Sequence, residues 1–225
     1  MLAAAIHKTA PFLANLGFNW FDVTLAIVVG IGFYRGRRRG MTKEMLPALE
    51  WLAIVLVAGF GHTFLADWFQ QQGLVKQVFG HRFTERTAAL MSAYLLIAVI
   101  LFVVFSLLKR KYNPQLEGSN VFGGSEYYWG VLAGCIRYVC LVLVALALLN
   151  APSYSAADIK ATEAYNNRWY GGGLKDYKGN FIPTVYEVQD SVFKESRVGP
   201  LIKANLSPLL INTTPPAAGK KNAQS

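Results

Sequence analysis

Long apolar blocks alternate with short polar stretches over the first two thirds of the chain, and the alternation stops near Asn150. The first block runs from about Phe18 to Tyr34, close to the lower limit of about 17 residues for a membrane-spanning helix. No small-residue cleavage site follows it; Arg35, Gly36, Arg37, Arg38 and Arg39 do, so the block reads as a retained span rather than a signal peptide. The second block, about Met45 to Phe69, has Pro47 in its first turn and is interrupted by Glu50 and His62. The third, Thr87 to Leu108, carries no ionisable residue. The fourth, about Tyr127 to Leu149, contains Arg137, and Pro152 helps to end it. Aromatic residues gather at block ends (Phe18, Trp20, Phe21; Trp68, Phe69; Tyr127, Tyr128, Trp129), where an apolar ring with a polar edge suits the lipid–water interface.

This pattern predicts an all-α membrane protein: a four-transmembrane-helix bundle with a short helical, partly disordered C-terminal tail. The expected organisation is an N-terminal segment 1–17 and a transmembrane domain 18–150, with spans at about 18–34, 45–69, 87–108 and 127–149. An extracytoplasmic tail 151–212 with short amphipathic helices and a disordered terminus 213–225 follow. In the tail, Ser155 caps a helix to about Trp169, and Gly171, Gly172 and Gly173 break it. Thr184 caps a second helix with Val185, Val188, Val192 and Phe193 on one stripe. The apolar residues Leu201, Ile202, Leu206, Leu209, Leu210 and Ile211 form a stretch too short to cross. It is expected on the outer membrane surface or against the bundle. The segment Tyr165–Tyr177, aromatic and broken by glycine, receives no functional reading.

Composition supports lipid as the solvent. Hydrophobic residues make up 53% of the chain and charged ones 16%, against about 25% charged in a soluble domain. The formal net charge of +9 lies in clusters beside the apolar blocks, where it sets topology and attracts anionic lipid rather than nucleic acid. One loop holds Arg35, Arg37, Arg38, Arg39 and Lys43, and another opens with Lys109, Arg110 and Lys111. Both are expected in the cytoplasm, which puts both termini outside. The loop with Lys76, Arg82 and Arg86 is a weaker contrary signal, because Asp67 and Glu85 share it.

Candidate chemistry is sparse. Gly32, Gly36 and Gly40, and again Gly130 and Gly134, are spaced by four, a pattern that lets helix backbones approach closely in lipid. Arg137 is costly in a bilayer and needs protein or water around it. If the second and fourth spans rise from the same side, Glu50 and Arg137 lie about 8 and 13 Å deep at 1.5 Å per residue. Arg137 is therefore expected to pair with Glu50 or with Glu44, or to snorkel to the headgroups. Asp22, His62 and Asp67 approach the outer side and could handle protons, although interfacial carboxylates and a packed histidine explain them as well. Arg35, Arg37, Arg38 and Arg39 are candidates for contact with lipid or a partner. Cys135 and Cys140 lie on different faces of one helix and read as packing residues. His7, His62 and His81 have no catalytic or metal-ligating context, and no catalytic residue, cofactor or metal is expected.

The stretch Asn19-Trp20-Phe21-Asp22, an apolar helix, Arg35-Gly36-Arg37-Arg38-Arg39-Gly40, Lys43-Glu44 and then Trp51 resembles the opening of the colicin V production protein family. Gly130, Gly134 and Arg137 resemble the start of that family's last span. Ser196-Arg197-Val198-Gly199-Pro200-Leu201 resembles its short tail motif. The resemblance covers roughly Asn19 to Leu149 and departs in the segment between Ala151 and Pro183. In some relatives such a bundle anchors a serine protease, for which this tail is far too short. The resemblance implies a bacterial inner-membrane protein associated with colicin production or export and with envelope upkeep.

Two functions follow as expectations. One is a non-enzymatic protein that works through a membrane-protein partner or as a homo-oligomer. The other is a small oligomeric channel or transporter using Glu50, His62 and Arg137.

Overall fold

The computed structural model describes residues 19–72, 85–117, 123–152 and 185–213, and all regular structure among them is helical. The expected N-terminal segment 1–17, the helix from Ser155 to Trp169, the Gly171–Gly173 break, the Tyr165–Tyr177 segment, Thr184, Lys76, Arg82, His7 and His81 lie outside the described residues, as does the terminus beyond Thr213. Helix α1 is Trp20–Ala53; a π-helical turn, Ile54–Ala58, joins it to α2, Gly59–Gln71. Helix α3 is Glu85–Glu117, and a short 3-10 turn at Gly123–Ser125 leads into α4, Glu126–Asn150. The C-terminal part has α5 at Val185–Asp190, a π turn at Ser191–Glu195, α6 at Val198–Asn205 and a 3-10 turn at Ser207–Leu209.

Three helical stretches are long and apolar enough to cross a membrane: Trp20–Gln71, Arg86–Tyr112 and Gly123–Asn150. Large apolar side chains such as Ile27, Phe60, Phe64, Phe102 and Leu107 are exposed on them, as lipid-facing surfaces require. The first stretch has 52 residues, which as a straight rod would reach about 78 Å, over twice the hydrocarbon thickness of about 30 Å. It is not straight. Gly40 stands at φ 73°, ψ 170°, inside otherwise helical chain. Only glycine enters that region without strain, and a side chain there would also press on the Glu126 carboxylate.

The basic, glycine-containing stretch between the first two apolar blocks predicts a loop over 35–44. The structure instead winds both sides of Gly40 into helix, because the arginines there are good helix formers and a single glycine suffices to break direction. Pro47 accordingly falls in the second turn after the break rather than the first, and removes one rung of the hydrogen-bond ladder.

Contacts reveal the change of direction. Before Gly40, Gly32 packs on Gly134, Gly36 on Gly130 and Gly40 on Gly130 and Glu126, so this arm runs antiparallel to α4. After it, Thr42 meets Glu126 and Glu44 meets Arg137, and the chain now runs with α4. Helix α3 lies antiparallel to this second arm and α2: Glu50 meets Lys109, Gly61 meets Ile97, and the His62 and Tyr94 rings meet edge to face. The glycine contacts are backbone against backbone. A β-carbon at Gly36 would collide with the Gly130 carbonyl, and one at Gly134 with the Gly32 carbonyl, whereas nothing lies within 4 Å of a β-carbon at Gly30.

By contacts the chain forms two compact units, Met1–Val23 with Pro152–Asn205, and Thr24–Ala151 with Leu206–Ser225. The second unit contains the bundle just described. Its C-terminal stretch packs on it: Leu209 lies against Gly59, Leu210 and Ile211 are buried, and Asn150 Nδ2 donates to the Ile211 carbonyl (3.0 Å) and to Asn212 Oδ1 (2.9 Å). The apolar stretch expected over 201–211 is therefore divided. Its second half packs in the bundle unit, while Leu201 is exposed on α6.

The first unit is organised by Asp22. Asn19 caps α1, accepting from the Trp20 N–H through its side chain (2.6 Å), and Asp22, three residues on, accepts from the Asn19 N–H (3.1 Å). This is the return half of a capping box. Asp22 is buried and also accepts from the backbone N–H groups of Arg197 (3.1 Å) and Val198 (3.2 Å), where α6 begins. One carboxylate thus serves two helix N-termini, whose partial positive charge favours an anion. Ser196 completes the α6 cap by accepting from the Gly199 N–H (2.8 Å), and Pro200 falls in the first turn, where its missing N–H costs little. Asn19 Nδ2 and Trp20 Nε1 both donate to Ser191 Oγ, at 2.8 and 2.9 Å.

Two outcomes are expected. Gly36→Ala lowers stability by about 1–3 kcal/mol through overpacking, while Gly30→Ala is neutral or better; thermal unfolding in detergent compares them, and equal melting temperatures would contradict the packing contact. Asp22→Ala removes three backbone partners and loosens the segment 185–205, read as faster proteolysis there with the bundle helices unaffected.

Candidate functional site

The ionisable residues of the bundle unit converge where the two arms of α1 meet α3 and α4. Glu44 is almost fully buried, 1% exposed, and lies one turn past the Gly40 reversal. Arg137 approaches it from α4 at 3.0 Å and Arg39 from the preceding arm at 3.3 Å. Glu50, equally buried, accepts from Lys109 Nζ of α3 at 2.6 Å. Removing a carboxylate from water costs several kcal/mol, and only an opposite charge in good geometry offsets it. Arg39 is 43% exposed, against 23% for Arg137 and 25% for Lys109. The Glu44–Arg137 contact is therefore less screened than Glu44–Arg39.

Of the two acids expected to meet Arg137, the structure brings Glu44 to it and gives Glu50 to Lys109. The residue missed from sequence is Lys109, which the sequence places at the start of the basic loop after the third span. Its register held the signal. Glu50 is near the start of one apolar block and Lys109 at the end of the next, so in an antiparallel pair they share a level. Reach explains the choice at Arg137: it sits opposite the turn following Gly40, and that turn presents Glu44. One oxygen of Glu50, Oε1, is buried without a hydrogen-bond partner among the described residues.

Above these carboxylates opens a cavity of about 970 Å³, lined by Ile31, Tyr34, Arg35, Arg38, Arg39, Lys43, Pro47, Lys109 and Arg137. Six of its nine lining residues are cationic, and none is acidic. Arg35 Nη1 reaches Tyr138 Oη at 3.5 Å, a long contact, and its Nε is buried without an acceptor among the described residues. Arg37 points elsewhere, over the Tyr127 ring at 5.1 Å. The arginine run thus divides by helical face, with Arg35, Arg38 and Arg39 on the cavity and Arg37 on the aromatic end of α4.

The remaining candidates do not join this site. His62 Nδ1 donates to the Ala58 carbonyl at 2.9 Å, which assigns its proton to that nitrogen. At about 1.5 Å per residue it lies some 18 Å along the helix from Glu50. Asp22 is engaged by backbone N–H groups, and Asp67 is exposed. Cys135 and Cys140 are free thiols. Among the described residues no group of His, Cys, Asp and Glu could hold a metal ion.

The sequence profile of the family described as "Colicin V production protein" matches residues 21–207. That interval takes in Asp22, the glycine contacts, both buried carboxylates and the α6 cap. No curated protein and no solved structure gives a significant match.

Glu44→Ala is expected to destabilise the protein by about 3 kcal/mol, since it leaves two guanidinium groups without their acid. Arg39→Ala costs about 1 kcal/mol or less, because that arginine is largely in solvent and Glu44 keeps Arg137. Melting temperatures of the purified variants test the order, and an Arg39→Ala loss as large as that of Glu44→Ala would refute the assigned roles.

Proposed function

Given that the chain belongs to the colicin V production protein family, we propose that it is a non-enzymatic, multi-pass protein of the bacterial inner membrane that supports toxin production or export, or envelope homeostasis, through contacts with partners. The reading rests on how the bundle uses its charge. Glu44 and Glu50 are neutralised internally by Arg39, Arg137 and Lys109. The bundle interior is thus a packed scaffold, and the exposed arginines Arg37 and Arg38 remain available at its surface. The two arms of the first stretch, 20–39 and 41–71, cross separately in this reading, which gives four crossings with α3 and α4.

The orientation we propose is supported by the same residues. Arg38 and Arg39 from the first reversal and Lys109 from the end of α3 line one cavity, so both basic segments lie at one end of the bundle. By the positive-inside rule that end is cytoplasmic, and both termini are outside.

A channel or transporter reading is favoured by one observation, the unpartnered Oε1 of buried Glu50. Against it, Glu50, His62 and Arg137 each have separate partners and do not form a chain of polar groups.

Two measurements check the proposal. In a background with both native cysteines replaced, a cysteine at Lys111 should react only with reagents that reach the cytoplasm, and one at Gln72 with impermeant reagent from outside; the reverse labelling inverts the topology. In reconstituted liposomes the scaffold role expects no flux above that of empty vesicles, and in cells it expects cross-links to a foreign membrane protein that weaken when Arg37, Arg38 and Arg39 become alanine. Flux that changes with Glu50→Gln would replace this reading with the conductive one.

A further inference from the structure

The cavity has a charge arrangement that the packing of the bundle does not require. Arg39, Lys109 and Arg137 are committed to Glu44 and Glu50. Arg35 and Arg38 line the same space, and among the described residues neither has a carboxylate partner. Crowded like charges repel, and the repulsion grows as surrounding water is replaced by protein and lipid. Arg35 is half-buried, and its Nε–H has no acceptor among the described residues, although buried polar groups are ordinarily hydrogen-bonded. A wall of this charge suits an anion with several acceptor oxygens, the group whose shape and charge match arginine forks.

We infer that this cavity is a binding site for a phosphate-bearing anion, held by Arg35 and Arg38 with the remaining cations around it. The rest of the wall distinguishes the sources of such a phosphate. Ile31 and Tyr34 line the cavity and are exposed on the membrane-embedded arm, and Pro47 adds a third non-ionic surface. A site for a soluble phosphate has no use for an apolar flank open to lipid. An anionic phospholipid uses both parts, its headgroup among the arginines and the start of its acyl chains along Ile31 and Tyr34. Basic pockets between membrane helices on the cytoplasmic side are suited to that chemistry. The choice of a lipid rests on the proposed orientation but not on the scaffold role, since a lipid fits the site in a scaffold or in a conduit.

The test uses the full-length protein in mild detergent. Native mass spectrometry measures retention of cardiolipin, phosphatidylglycerol and phosphatidylcholine, and thermal unfolding is followed with each lipid and with inorganic pyrophosphate. The site variant is Arg35→Gln with Arg38→Gln. The control is Arg110→Gln with Lys111→Gln, which removes the same charge outside the cavity. Expected are preferential retention of the two anionic lipids, a rise in melting temperature with them, and a loss of roughly tenfold or more in the site variant but not in the control. If the double variant does not fold, Arg38→Gln alone should show a smaller loss in the same direction. Stabilisation by pyrophosphate without lipid preference keeps the phosphate site and makes its source soluble. Equal losses in site and control variants, or no preference for any anion, would overturn the inference.

Discussion

Everything in the bundle unit depends on how closely the first arm of α1 can approach α4. In lipid there is no hydrophobic force to press helices together, so contact comes from packing and from polar groups that find one another. Gly32, Gly36, Gly130 and Gly134 allow the two backbones to touch, with each carbonyl occupying space that a methyl group would need. That contact fixes the level at which the chain turns back at Gly40. The turn in turn fixes where Glu44 emerges, within reach of Arg137. A wider separation would leave both charges stranded in a medium that tolerates neither alone.

Charge and backbone geometry therefore act together. Gly40 supplies a left-handed residue and leaves room for the Glu126 carboxylate, which Thr42 engages at 2.6 Å. Arg39, just before the turn, and Glu44, just after it, close across the reversal. Glu50 and Lys109 tie the second arm to α3. Arg35 and Arg38 join the three paired cations around one cavity, while Arg37 lies over the Tyr127 ring.

Much of this was legible in the sequence. The apolar blocks marked the long helices, and four-residue glycine spacing marked the faces that meet. Arg137 stands out as a charge in need of an acid, and Glu44 is one of the two acids expected near it. Other features were hidden for physical reasons. A run of arginines between two apolar blocks looks like a loop, because composition does not reveal that one glycine can reverse a helix without unwinding its flanks. The pairing of Lys109 with Glu50 depends on the register between helices, which no local pattern encodes. Asp22 and the Ser196–Leu201 stretch were each singled out in the family resemblance, yet nothing in the sequence said that one would cap the other. Their hydrogen bonds span a separation of 175 residues for Arg197 and 176 for Val198.

That separation has a consequence for biosynthesis. Asp22 is synthesised long before two of its three backbone partners, Arg197 and Val198. Until they emerge the carboxylate holds only the Asn19 N–H, and its second helix terminus does not yet exist. A chain that stops short of Ser196 keeps that vacancy permanently, at the entrance to its first apolar helix. A chain that carries Arg197 and Val198 is thus chemically distinguishable, at a single carboxylate, from one truncated before them.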